Sequence, residues 1–367
     1  MDITFLIGNG FDLNLGLNTR YSDFLKEYLQ DNPEDTEEIK AFKADIIEKE
    51  QQDKQKGEEA SHLWSNAEMA FGLYTDDVVN QQKTVETFFE RYDDFCIRLA
   101  SYLQAQENRI LVQGDGKDFI NAIQNFHKGL TEAQVAQVNK AEALFDGGYV
   151  FNFIIFNYTE IIDKILQTIR DNRTSMGTRT VKSTNKSNSI GKVIHVHGTT
   201  TQDMVFGVND ETQIANMELF NNALPFYLNS LIKQKTNHEN EARIDEKTHE
   251  IIKNSSFVYI YGMSLGDTDA IWWERVIERM KAQTNTHVFI HGFDAPKNRL
   301  IQRQRWIYEY EKKRQFLAFA KGDTTGLADR IHIVNADIFE QYSNIIPPPI
   351  QEQTVSTDGN VELSLPV

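Results

Sequence analysis

The chain has 367 residues, a formal net charge of −16 and a single cysteine, Cys96. So acidic a chain argues against broad binding to nucleic acid or anionic membranes, which needs a basic face, and one thiol excludes an intramolecular disulfide or a multi-cysteine zinc site. No apolar run approaches the ~20 residues that span a bilayer, and the start of the chain shows no basic leader or cleavage site, so the expected location is the cytoplasm.

In chain order, "ITFLI" at residues 3–7 reads as a buried strand running into the turn "GNGFD". Residues 20–147 carry no strong strand signal. Helical periodicity appears at 21–29, 36–50 and 84–104, and more weakly up to 145. In the third segment Val85, Phe88, Phe89, Tyr92, Cys96, Leu99 and Leu103 recur at spacings of three and four, which makes Cys96 a core thiol. The mostly acidic run 31–59 reads as a solvated face or an excursion.

From 149 the pattern changes. "YVFNFIIFN" is a strand and "TEIIDKILQTI" a helix; "KVIHVHG" and "SSFVYIYG" are strands; "DTDAIWWERVIERM" is a helix; "THVFIHGF" and "RIHIVNA" are strands. This alternation predicts an α/β, doubly wound, mostly parallel Rossmann-like sheet with a large helical insertion after the first strand. The nucleotide-binding core is placed at 1–20 and 148–345, the insertion at 21–147 and a flexible tail at 346–367. The basic, apolar-poor stretch 170–192 is expected to be a mobile surface loop that orders on activation or partner binding, with a plain solvated crossover connection as the alternative.

Every informative motif follows a predicted strand, and in a parallel sheet such positions share the edge where ligands bind. In "GNGFD", Gly8 and Gly10 permit positive φ and close approach of the backbone to a ligand, with helix N–H groups facing a phosphate; a plain strand–helix turn is the alternative. In "HVHG" a period of two puts His195 and His197 on one face. His197 is the outer one and the candidate for chemistry, and His195 reads as a core histidine. A two-histidine metal site is the rival, but no third ligand signature accompanies the pair. In "FNYT" the Asn157 amide both donates and accepts, which suits reading another amide, unless Asn157 or Thr159 merely caps a helix. "YGMSLGDTD" offers Ser264 for a ribose hydroxyl, with Asp267 and Asp269 at the next helix start, where a carboxylate is favoured in any case.

The stretches "LIGNGFDLNLGLNTRYSDFL" and "IYGMSLGDTDAIWW" resemble the bacteriophage abortive-infection AbiH family, which in turn resembles the sirtuin-like, NAD-binding fold. The resemblance implies a phosphate loop at Gly8, Asn9 and Gly10. It implies a nicotinamide and ribose contact at Asn157, a catalytic histidine at His197, and a following segment at Phe206 and Gly207. Gly262, Ser264 and Leu265 take the place of the ribose-binding Gly-x-Ser-Leu, and Asp12, Thr159 and Asp267 complete the expected binding set. Two departures argue against protein deacylation: a four-cysteine zinc ribbon is impossible, and Thr159 stands where an aspartate is expected. The resemblance leaves hydrolysis or transfer at the nicotinamide–ribose bond open, and the expectation it implies is an anti-phage effector hydrolysing NAD at that bond, with NAD as substrate or ligand and no metal. The alternative is a non-catalytic nucleotide-binding sensor or regulatory subunit. A phage-derived trigger or partner protein and a homo-oligomer are compatible with either; a membrane or nucleic acid is not expected. Nicotinamide leaves as a neutral molecule, so the site needs to hold the pyrophosphate, orient the carboxamide and supply a base. His197 with an ordinary pKa near 6.5 suits that last role, and Asp12 is available to stabilise developing positive charge.

Overall fold

Short, largely apolar runs make five of the six strands of the main sheet, as expected where both sheet faces are covered, while the edge strand Ser189–His195 is more polar and more exposed. The computed structural model describes residues 1–55, 63–239, 243–293 and 302–340. Its strands are β1 (Asp2–Ile7), β2 (Val150–Ile155), β3 (Thr178–Val181), β4 (Thr184–Ser187), β5 (Ser189–His195), β6 (Phe257–Tyr261), β7 (His287–His291) and β8 (Ile331–Val334). Six of them form one sheet in the order β5-β2-β1-β6-β7-β8, every neighbouring pair parallel. The chain thus winds outward from β1 to β5, then crosses back to lay β6 on the other side of β1. That reversal, between β1 and β6, is the topological switch point of a doubly wound sheet. Ile7 is in register with both Ile155 and Tyr261, so β1, β2 and β6 end level with one another.

One sheet face carries Ile3, Phe5, Ile7, Phe151, Phe153 and Tyr259, covered by Phe119, Ile123, Phe126 and the isoleucine face of the Ile161–Asp171 helix. The other carries Leu6, Ile154, Val258 and Ile260, packed on Trp272, Trp273 and Val276 of the Ala270–Ala282 helix. A third core lies beyond the sheet, where Phe24, Phe42, Trp64, Phe71, Phe88 and Phe95 meet.

The stretch read as one insertion divides between these cores. Helices Tyr21–Tyr28, Glu37–Gln55, Ala67–Asn80 and Val85–Glu107 build the aromatic core. Helices Lys117–Gln124 and Glu132–Glu142 lie instead on the sheet, because their apolar stripes need a surface and one face of β1 and β2 supplies it. Nor is the aromatic core closed by the insertion alone: Tyr158, Phe206, Leu231 and Ile232 complete it. Cys96 packs partly buried against it.

The expected mobile loop at 170–192 is corrected. β3 and β4 form an antiparallel hairpin there. Arg179 lies over the Tyr149 ring at 5.3 Å and donates to the carbonyls of Glu142, Phe145 and Gly147, which fastens the hairpin to the body. β5 then starts at Ser189 and stops at His195, so "HG" at 197–198 lies beyond the strand. The predicted tail at 346–367 falls outside the described residues. Among those residues no helix is long and apolar enough to cross a membrane.

Candidate functional site

A cavity of about 310 Å³ opens at the level ends of β1, β2 and β6, within the range of small-molecule sites. Its sheet side is lined by Gly8, Asn9, Asp12, Asn157, Thr159, His197, Gly262 and Ser264. Eight of the residues singled out from sequence therefore meet at one place. Gly10 is not on the lining. The backbone of Asp267 begins a short 3-10 turn, Asp267–Asp269, and its side chain lies outside the described set.

The glycine turn does not have the expected form. Neither Gly8 nor Gly10 has positive φ; Gly262, across the switch point, does, at 67°. The Gly8 N–H donates to the Tyr261 carbonyl (2.9 Å), Gly10 N–H to the Gly262 carbonyl (2.8 Å) and Phe11 N–H to the Gly8 carbonyl (2.9 Å). These donors are occupied, and the Gly10–Asn14 helix that follows has only five residues. The close approach that glycine permits is to the neighbouring turn: a Cβ at residue 10 would stand 2.4 Å from the Gly262 Cα. Asn9 ties the turn to the chain beyond it, donating to the Thr19 carbonyl at 3.0 Å and accepting from the Thr19 hydroxyl at 2.5 Å.

Three side chains in the cavity hold buried polar atoms with no hydrogen-bond partner among the described residues. They are Asp12 Oδ1, His197 Nδ1 and both polar atoms of the Asn157 amide. Asp12 is 2 % exposed and Asn157 5 %. Buried polar groups are nearly always paired, so three such side chains around one cavity make it the candidate ligand site. The other oxygen of Asp12 accepts from the Thr159 hydroxyl at 2.8 Å. Asp12, from the turn after β1, thus places a carboxylate beside Thr159. Burial pushes the Asp12 pKa up to about 7, opposed by the Thr159 hydroxyl and by the Asn157 amide, which lies beside the carboxylate without completing a hydrogen bond to it.

His197 sits between the rings of Phe156 and Tyr158. Burial first, then the Lys233 ammonium, hold its pKa well below 6.5. The expected ordinary histidine base is corrected: this imidazole is neutral at physiological pH and weakly basic. His195 does not share its cavity. It lines a separate cleft, with Nε2 2.7 Å from Asp163 and Nδ1 3.2 Å from the Asn157 carbonyl. Burial pulls the His195 pKa down, but the Asp163 carboxylate and that carbonyl outweigh it and the net shift is upward. Among the described residues no group of three or more His, Cys, Asp or Glu side chains is placed to hold a metal.

Of the far wall, the sequence singles out Asp269 alone. Tyr21, Asn66 and Glu68 come from the helical body, and Lys233 and Asp269 from the later part of the chain. Glu68 and Lys233 form a buried ion pair at 2.8 Å, and burial raises the Asp269 pKa to about 6, with Lys233 opposing and Glu68 adding. One signal was available: Glu68 lies on the apolar face of "AEMAFGLY", and Lys233 directly follows the buried pair Leu231 and Ile232. A charge in such company needs a partner. Phe206, expected near the chemistry, anchors the aromatic core instead, against Tyr21, Phe71, Tyr92 and Phe95.

A search of curated proteins returns no match. Residues 4–291 match the family model described as bacteriophage abortive infection AbiH. The match takes in β1 with its glycine turn, the helical body, Asn157, His197, Lys233 and the β6 turn, and so both walls of the cavity. This chain belongs to the bacteriophage abortive infection AbiH family.

Proposed function

We propose that the chain is an abortive-infection effector that cleaves NAD at the nicotinamide–ribose bond. One observation carries the reading: the unpartnered atoms of Asn157, Asp12 and His197 converge on a single cavity at the switch point. The Asn157 amide offers one acceptor and two donors, which matches the carboxamide of nicotinamide. As that bond breaks, positive charge grows on the ribose ring. The Asp12 carboxylate, where no cation pairs with it, stabilises that charge and accepts the proton of the attacking water. With its pKa near 7 it is half ionised at neutral pH. The neutral His197 accepts a hydrogen bond from a ribose hydroxyl and holds the sugar.

The test is to incubate the purified chain with NAD and measure free nicotinamide, and to follow NAD in infected cells carrying the wild type or Asn157→Ala. Nicotinamide release in vitro and depletion in wild-type cells are expected; NAD that stays level in both settings overturns the proposal. A non-catalytic nucleotide sensor is favoured by one feature, the occupied N–H groups of the glycine turn, which leave no phosphate cradle of the usual kind. That reading gains if NAD binds without releasing nicotinamide.

A further inference from the structure

The cavity holds a cation that this mechanism leaves unused. Lys233 is 3 % exposed, and the one hydrogen bond that its ammonium makes among the described residues goes to Glu68 Oε2 at 2.8 Å. An ammonium has three donors, so two remain. Glu68 is held from its other side: its Oε1 lies 3.3 Å from the Tyr21 hydroxyl and 3.2 Å from the Tyr158 hydroxyl. The carboxylate is therefore fixed by the helical body and the β2 end together, and it points the ammonium. Among the described residues lining the cavity, Lys233 is the one lysine or arginine. The N–H groups at Gly8, Gly10 and Phe11 are already occupied by backbone carbonyls. An anionic group entering this cavity finds its positive partner at Lys233.

We infer that Lys233, oriented by Glu68, reads an anionic group of the ligand, so that the site takes a phosphorylated N-riboside in preference to a free nucleoside. The inference rests on the N-riboside reading above. It also gives the helical body a part in recognition, because Glu68 is supplied by the Ala67–Asn80 helix. The phosphate bonds to the free N–H groups of Lys233 without displacing Glu68, whose tyrosine contacts stay in place. A phosphate replaces no protein group in doing so, and charge-assisted bonds of this kind are the stronger class in a buried setting.

The experiment uses carbocyclic analogues of nicotinamide mononucleotide, nicotinamide riboside and NAD, in which carbon replaces the ring oxygen, so that no oxocarbenium ion forms and no turnover occurs. Affinities are measured by calorimetry. The wild type is expected to bind the mononucleotide about tenfold or more tightly than the riboside, and inorganic phosphate should compete with the mononucleotide and the dinucleotide but not with the riboside. The paired variant Lys233→Met with Glu68→Gln removes both charges of the ion pair, so that Glu68 is not left as a carboxylate without its cation; it should keep the riboside affinity and lose the preference. Lys233→Arg keeps a cation and should keep the preference, which serves if the paired variant does not fold. Equal wild-type affinities for the two analogues, or a preference that survives in the paired variant, overturn the role of Lys233 and leave the N-riboside site standing. If none of the three analogues binds, the N-riboside reading falls and this inference falls with it.

Discussion

Asp12 is where function and stability oppose one another most directly. An unfolded aspartate titrates near 3.9, whereas the native one titrates near 7 because it is buried. Between those values the native state holds a proton that the unfolded state has released. Stability is therefore lost as pH rises through about 7, by as much as about 4 kcal/mol for a shift of some three units. Asp12→Asn removes the ionisation and retains an acceptor for Thr159. We expect the variant to match the wild type near pH 4, to melt above it at pH 8, and to release no nicotinamide; melts across that range, with an activity assay, check all three. The buried pair His287 and His332 behaves in the opposite sense. Their rings stack with Nδ1 of the first 2.9 Å from Nε2 of the second. Burial, then Arg330, lowers the His287 pKa to about 4. Burial, then His287 and Lys313, lowers that of His332 to about 3. Here the unfolded chain binds protons the native state refuses, so stability falls as pH drops from about 6.5 toward 4. The slope is at most about 1.4 kcal/mol per pH unit for each histidine. His332→Gln should flatten the decline between pH 6 and 4 in denaturant titrations; an unchanged slope would show that other groups dominate.

The turn after β1 and the turn after β6 act as one element. Gly10 donates to Gly262, and each glycine leaves no room for a Cβ on the other: 2.4 Å from residue 10 to the Gly262 Cα, 2.7 Å from residue 262 to the Gly10 Cα. At both ends the obstacle is backbone, which cannot rotate away. Gly10→Val should therefore destabilise the protein on the order of 3 kcal/mol or more, with or without a ligand. Gly262→Ala should do the same, aggravated by a positive φ that alanine tolerates poorly. The double variant should lose much less than the sum, since both substitutions break one contact. A Gly10→Val protein that melts with the wild type and fails only to bind nucleotide would assign the glycine to the ligand rather than to the turn.

The helical body shares its aromatic core with the segments that follow β2 and β5, and the cavity lies between that body and the sheet edge. Phe206 follows β5 in the chain yet inserts among Tyr21, Phe71, Tyr92 and Phe95; Tyr92 donates its hydroxyl to the Phe206 carbonyl at 2.5 Å. Phe206→Ala should cost about 3–5 kcal/mol through the cavity it leaves. Its effect should also reach the wall that carries Glu68. Hydrogen exchange is expected to speed up in the Ala67–Asn80 helix and to stay unchanged in β7 and β8. Uniform acceleration throughout would mean that the two bodies unfold as one unit, without local loosening at their junction.

The parallel sheet was legible from residue order, because buried strands in such a sheet are short apolar runs and the alternation with helices constrains their direction. Asn157, His197 and the β6 turn were legible for a related reason: polar residues directly after apolar strands have little to do but line the ligand edge. The ion pair of the far wall was not. Glu68 and Lys233 are 165 residues apart, and only packing of the helical body against the chain beyond β5 makes them a pair. Sequence patterning also could not divide residues 21–147 between two cores, since an amphipathic stripe says that a helix is covered and not by what. Titration was beyond it as well. A histidine beside a glycine looks like an ordinary base until Phe156, Tyr158 and Lys233 surround it, and an aspartate after a turn looks ionised until burial holds its proton. Local order fixes which residues reach the edge of the sheet; desolvation and distant charges, which exist only in the folded chain, decide what those residues can do there.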